Sequence, residues 1–159
     1  MIFSYFSQLQ HFNNDPIKMD KNFKNQEKRI EAVFQNKTED LSKRLDTITI
    51  YKEYLDQNLS YPIELTGIED FSWEEFYLLG PGSLKEYEKL KKSNPSYLDT
   101  FILEKTGERY DEYDGLIVDV IRVTDKKRFQ IPLSELKSTN KRSKNYKLLD
   151  DYSVWIVNF

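Results

Sequence analysis

The chain contains no cysteine. Disulfides, thiolate metal sites and cysteine nucleophiles are therefore excluded. Its one histidine, His11, lies in a stretch without a clear hydrophobic period, which argues against a histidine-based zinc site or a Ser-His-Asp triad. No run approaches the roughly eighteen apolar residues of a membrane span. The start, Met1-Ile2-Phe3-Ser4-Tyr5-Phe6, has neither a basic leader nor a long apolar segment. The expectation is a cytoplasmic protein without signal peptide or membrane span. Gly80-Pro81-Gly82 is a turn and not a phosphate loop, because no Gly-Lys-Ser/Thr follows it. Nothing marks a substrate pocket, and a non-enzyme is expected.

What the chain does have is aromatic side chains and charge. Eleven Tyr, ten Phe and two Trp in 159 residues offset a modest aliphatic content. They point to one aromatic-rich core whose tyrosine hydroxyls reach polar partners or water. The net charge of -3 is unevenly spread. Residues 1–60 balance nine acids with nine bases, residues 61–115 carry thirteen acids against six bases, and residues 116–159 carry nine bases against five acids. A local acidic excess suits a hard cation, although a solvated surface has the same composition.

Residues 1–24 keep no period and are expected to form a loosely patterned extension, or a short helix ending before Asp15-Pro16. Residues 25–50 are helical by period, with Ile30, Phe34, Leu41, Leu45 and Ile48 recurring at helical spacing and Thr38 and Thr47 as candidate N-caps. The remaining 51–159 is the expected α+β domain. A helix over Ile48–Leu59 stops at Pro62, and Pro62–Ile68 alternates as a strand. Phe76–Leu79 reads as a further strand. Ser83 caps a helix over Leu84–Ser93, and Thr100–Glu104 is again a strand. Leu116–Val123 is nearly continuously β-branched, as in a strand covered on both faces. Thr124–Lys127 turns it into a return strand at Arg128–Ile131, and Pro132 can start a helical turn. Tyr146–Val157 is a terminal helix expected to dock on the sheet. The predicted fold class is α+β: N-terminal helices, a small antiparallel sheet or partly open barrel, and a C-terminal helix.

The densest chemistry is Arg109-Tyr110-Asp111-Glu112-Tyr113-Asp114-Gly115. Calcium takes about six to eight oxygen ligands, and carboxylates close in sequence supply several at once. The spacing is not that of an EF-hand. With Gly115 at the invariant glycine, Tyr110 and Ile121 fall where acids are required. The plain alternative is a strand-entry turn, since acids and glycine are what turns contain. Glu69, Asp70, Glu74 and Glu75 form a second acidic group, which either completes an ion site or starts a helix. Asp150 and Asp151 form a third, on the terminal helix, where adjacent residues point about 100° apart. The basic set Lys126, Lys127, Arg128, Lys137, Lys141, Arg142, Lys144 and Lys147 suits phosphate contacts, or merely protects an edge strand. The acidic balance makes nucleic acid the weakest partner class.

Several pieces resemble a known family. Tyr54-Leu55 with Leu59, Tyr61 and Pro62, the acidic loop before the Val-rich strand, Phe129 with Ile131-Pro132-Leu133-Ser134 and Leu136, and Asp150-Asp151-Tyr152 with Val154-Trp155 are similar to the small bacterial calcium-binding proteins of the CcbP type. The resemblance covers about residues 51–159, with Ser72–Thr106 as an insertion relative to the shortest members. It implies a compact domain that binds Ca2+ through acidic side chains outside any EF-hand and buffers intracellular calcium. By position, Glu108, Asp111, Glu112 and Asp114 match the family's acidic loop, and Asp150 and Asp151 its acids before the aromatic helix.

The expected metal ligands are thus Asp111 and Asp114, then Glu112, with Asp151, Glu69 and Asp70 completing the set. The expected function is intracellular calcium binding, as buffer or sensor. The alternatives are a metal-free module that binds a protein partner through the N-terminal helices and, more weakly, an RNA-binding module.

Overall fold

The structure, a computed structural model, describes residues 16–159, with side chains from residue 21 onward. His11 and the helix expected before Pro16 lie outside the described residues. Helix α1 spans Pro16–Phe34 and α2 spans Leu45–Asn58. The described chain is thus helical from Pro16, and not first from residue 25: proline suits the first helical position, where its missing N–H has no partner to lose. Ile30, Val33 and Phe34 of α1 and Ile48, Tyr51 and Leu55 of α2 are buried in the same core as the sheet. The boundary expected at residue 50 falls inside α2. Arg44 occupies the N-cap of α2, and Thr47 serves from the third position, its hydroxyl accepting the Arg44 N–H at 2.9 Å.

The sheet is antiparallel and open, with strands β1 (Ile63–Gly67), β2 (Thr100–Leu103), β3 (Tyr110–Asp111), β4 (Gly115–Arg122), β5 (Arg128–Pro132) and β6 (Leu136–Ser138). Its order is β3-β4-β2-β1-β6, with β5 also paired to β4. β5 and β6 therefore lie in different parts of the sheet, yet only the 3-10 turn Leu133–Glu135 separates them. So short a link requires the sheet to curl, which gives the expected partly open barrel its physical basis. β4 is covered on one face and not two. Leu116, Val118, Val120 and Arg122 are buried while Asp119 is exposed, and Ile117 and Ile121 are half-buried.

Two helices fill the segment between β1 and β2: α3 (Ser72–Leu78) and α4 (Leu84–Leu90). The strand expected at Phe76–Leu79 is helical. Glu74 accepts the backbone N–H of Phe71 at 3.0 Å, and Glu75 adds a second acid to the first turn. Both favour a helix start and outweigh the strand propensity of Phe76 and Tyr77. Ser83 caps α4 as expected, accepting from the Glu86 N–H.

Helix α5 (Lys144–Asn158) closes the molecule. Ser143 caps it, and residues 151–156 are all buried, so it is a central and not a surface helix. Trp155 stacks on Tyr51 at 4.8 Å between ring centres, and Phe34 and Tyr152 complete the cluster. The Trp155 indole donates to the Leu41 carbonyl at 2.8 Å, and the Tyr152 hydroxyl accepts the Leu116 N–H at 2.8 Å. The tips of Trp155 and Tyr152 are anchored to backbone, whereas the buried Tyr51 hydroxyl has no hydrogen-bond partner among the described residues. No helix among the described residues is long and apolar enough to cross a membrane.

Candidate functional site

The β3–β4 hairpin explains most of its own acidic loop. Asp111 Oδ1 accepts the Tyr113 N–H at 2.9 Å and the Asp114 N–H at 2.6 Å, a side-chain turn that fixes the loop. Gly115 has φ +69°, and a Cβ there would meet the Tyr152 hydroxyl at 2.5 Å. The turn thus requires glycine both for its left-handed backbone and for its approach to α5. Glu112 is exposed and does not line the neighbouring cavity.

Asp114 points the other way. It lines a cavity of about 240 Å³ together with Glu69, Asp70, Glu75 and Glu135, while Ile68, Phe71, Pro132 and Ile156 supply apolar wall. Four chain segments deliver these carboxylates, the β3–β4 turn bringing Asp114. Glu69 and Asp70 follow β1, Glu75 sits on α3, and Glu135 is carried by the 3-10 turn, whose backbone carbonyl accepts the Ile68 N–H at 2.9 Å. Among the described residues Lys43 is the one cation in the lining, and its ammonium donates to the Tyr113 carbonyl at 3.2 Å.

Burial first, and then the charges of Asp114, Glu69 and Glu75, push the Glu135 carboxyl up to about 7. Among the described residues no three His, Asp or Glu side chains are already grouped so as to hold a metal ion.

The expected ligands therefore separate. Asp114, Glu69 and Asp70 share the cavity. Asp111 serves its own turn, and Glu112 faces solvent. Asp151 is taken: Arg29 donates to its two oxygens at 2.8 and 2.7 Å, and Gln26 donates to both Asp151 and Asp150. It holds α1 to α5 and is absent from the cavity lining. Glu74 is likewise structural, accepting from Phe71 N–H, Tyr87 hydroxyl, Ser96 hydroxyl and Tyr97 N–H.

Sequence reading missed Glu135. Its one signal was an acid between Leu133 and Leu136, in a piece that looked purely structural. The matching pieces of the family resemblance, Ile131, Leu133, Leu136, Tyr152, Val154 and Trp155, are core residues. Comparison with models of known families, with curated proteins and with solved structures finds no match.

Proposed function

We propose that the protein is a non-catalytic calcium-binding domain whose ion enters the cavity bounded by Glu69, Asp70, Glu75, Asp114 and Glu135. One observation carries this reading: Glu69 and Asp70, Glu75, Asp114 and Glu135, from separate stretches of the chain, line one cavity. Glu135 is pushed to about 7 by burial and by three other carboxylates, with no hydrogen-bond donor among the causes. A divalent cation would relieve that repulsion, and carboxylate oxygens are the ligands a hard cation takes. Since the side chains are not grouped as ligands beforehand, the ion would draw the glutamate arms inward and keep several waters. That places the affinity in the weak class, roughly 0.1 to 1 mM.

Thermal melting with calcium, with magnesium and with chelator tests the proposal. A ligand that binds only the folded state stabilises it by about 1.4 kcal/mol at ten times its dissociation constant, or roughly 4 °C for a chain of this size. The expected result is such a rise at about 10 mM calcium, lost in Glu75→Gln and in Glu135→Gln. No rise, or a rise that both substitutions leave unchanged, would sink it. The alternative partner site on the N-terminal helices has less to offer, because Ile30, Val33 and Phe34 of α1 are spent on the protein's own core.

A further inference from the structure

The end of β4 away from the cavity carries the opposite charge. Two basic runs distant in sequence meet there: Lys89, Lys91 and Lys92 at the end of α4, and Lys126, Lys127 and Arg128 in the β4–β5 turn. Arg122 joins them. Its buried guanidinium donates to the carbonyls of Lys91, Lys92 and Asn94 at 3.0, 2.9 and 3.0 Å. It also pairs with Asp99 at 3.1 Å and with Asp125 at 2.7 Å, and it stands 4.9 Å from the centre of the Phe129 ring. The Lys127 ammonium adds a bond to the Lys92 carbonyl at 2.8 Å.

This clamp does two things to the surface above it. Together with Lys127, 3.9 Å from Asp125, it offsets the two nearby acids, Asp99 and Asp125. It also satisfies carbonyls of the turn that follows α4, at Lys91, Lys92 and Asn94. What remains outward is cationic. Lys89, Lys92, Lys126 and Arg128 are exposed, and among the described residues none of them forms an ion pair. They stand on two elements pinned to one buried group, which holds their backbones side by side.

We propose that this face binds the phosphodiester backbone of a nucleic-acid duplex without reading its sequence. A regular ladder of phosphates suits cations carried on two adjoining elements. A single strand is the poorer fit, because the rings beside these cations, Phe129 half-buried against Arg122 and Tyr87 buried under Lys91, offer no open stacking platform. The acidic cavity does not cancel the face. The seven residue steps of β4 from Gly115 to Arg122 carry it about 23 Å along the strand, at about 3.3 Å per residue. That exceeds the screening length of about 8 Å at physiological salt. The inference is independent of calcium.

The test is fluorescence anisotropy of the full chain with a labelled DNA duplex of about 20 base pairs, titrated in salt from about 50 to 200 mM. The expected dissociation constant is on the order of 10 µM at low salt, with a log–log salt slope of about -3.6 for four phosphate contacts. The double variant Lys126→Glu, Arg128→Glu touches no hydrogen bond of the clamp. It should weaken binding at least about tenfold and flatten the slope by about 2, with its thermal melt unchanged. Absence of binding at about 100 µM protein in low salt would overturn the proposal. So would affinity untouched by the double variant, or tighter binding of polyglutamate than of the duplex.

Discussion

Glu74 and Glu135 are both carboxylates drawn into the protein, and they are treated in opposite ways. Glu74 is fully buried and accepts hydrogen bonds from four donors on α3, α4 and the 96–97 loop. Glu135, three residues past a proline, meets burial and the charges of three other carboxylates. Asp151 sides with Glu74, since Arg29 and Gln26 saturate it. The lesson is that proximity of acids in sequence says little about where negative charge is left uncompensated. A buried carboxylate with donors is part of the architecture, and one facing other carboxylates is available to a cation.

The contrast is broken most forcefully at Glu74. Glu74→Ala leaves the donors of Tyr87 and Ser96, and the N–H groups of Phe71 and Tyr97, without their acceptor. Hydrogen bonds to a charged group are worth about 1.5 to 3 kcal/mol each, and stranded buried donors add to the loss. The expected cost is about 3 kcal/mol or more, read as a fall in urea midpoint. A cost below about 1 kcal/mol would mean that Glu74 does not hold α3 and α4 in place. Arg29→Ala comes next. It strips Asp151 of its charge partner while Gln26 stays, and the arginine side chain of the pair is 36% exposed. A loss of about 2 kcal/mol is expected in the same measurement, with calcium response intact. Loss of the calcium response in Arg29→Ala, with the fold retained, would return Asp151 to the ion site.

Periodicity made the helices and most strands legible, because core residues such as Ile30, Phe34, Leu65, Phe101 and Trp155 recur at the spacing of their elements. It failed at Phe76–Leu79, where a helix of two turns is set by Glu74 reaching back to Phe71, a contact that composition cannot show. It failed also at β6, three residues long, too short to show a period and paired with β1 about seventy residues earlier in the chain. Of the site, Asp114, Glu69 and Asp70 were legible as acids beside turns. Glu135 was not, since only the tertiary fold decides that the 3-10 turn faces Glu69 and Asp114. Nor could sequence tell that Asp111 would fold onto its own loop, or that Asp151 would meet Arg29 from a helix far away in the chain.

The smallest effect sharpens the comparison most, because its sign is unusual. The unfolded chain ionises Glu135 near its ordinary value of 4.5, and the folded chain near 7. Between those values the unfolded state has released the proton and the folded state still holds it. Stability from this group is therefore complete below about 4.5, declines as pH rises through the window, and is gone above about 7. Glu135→Gln keeps the shape and removes the charge. It should flatten the decline in melting temperature between those pH values and stabilise the calcium-free protein at alkaline pH by about 1 kcal/mol. The same substitution should abolish the rise that calcium brings. A carboxylate that served the architecture, like Glu74, would destabilise on this change at every pH, and that outcome would place Glu135 on the other side of the comparison.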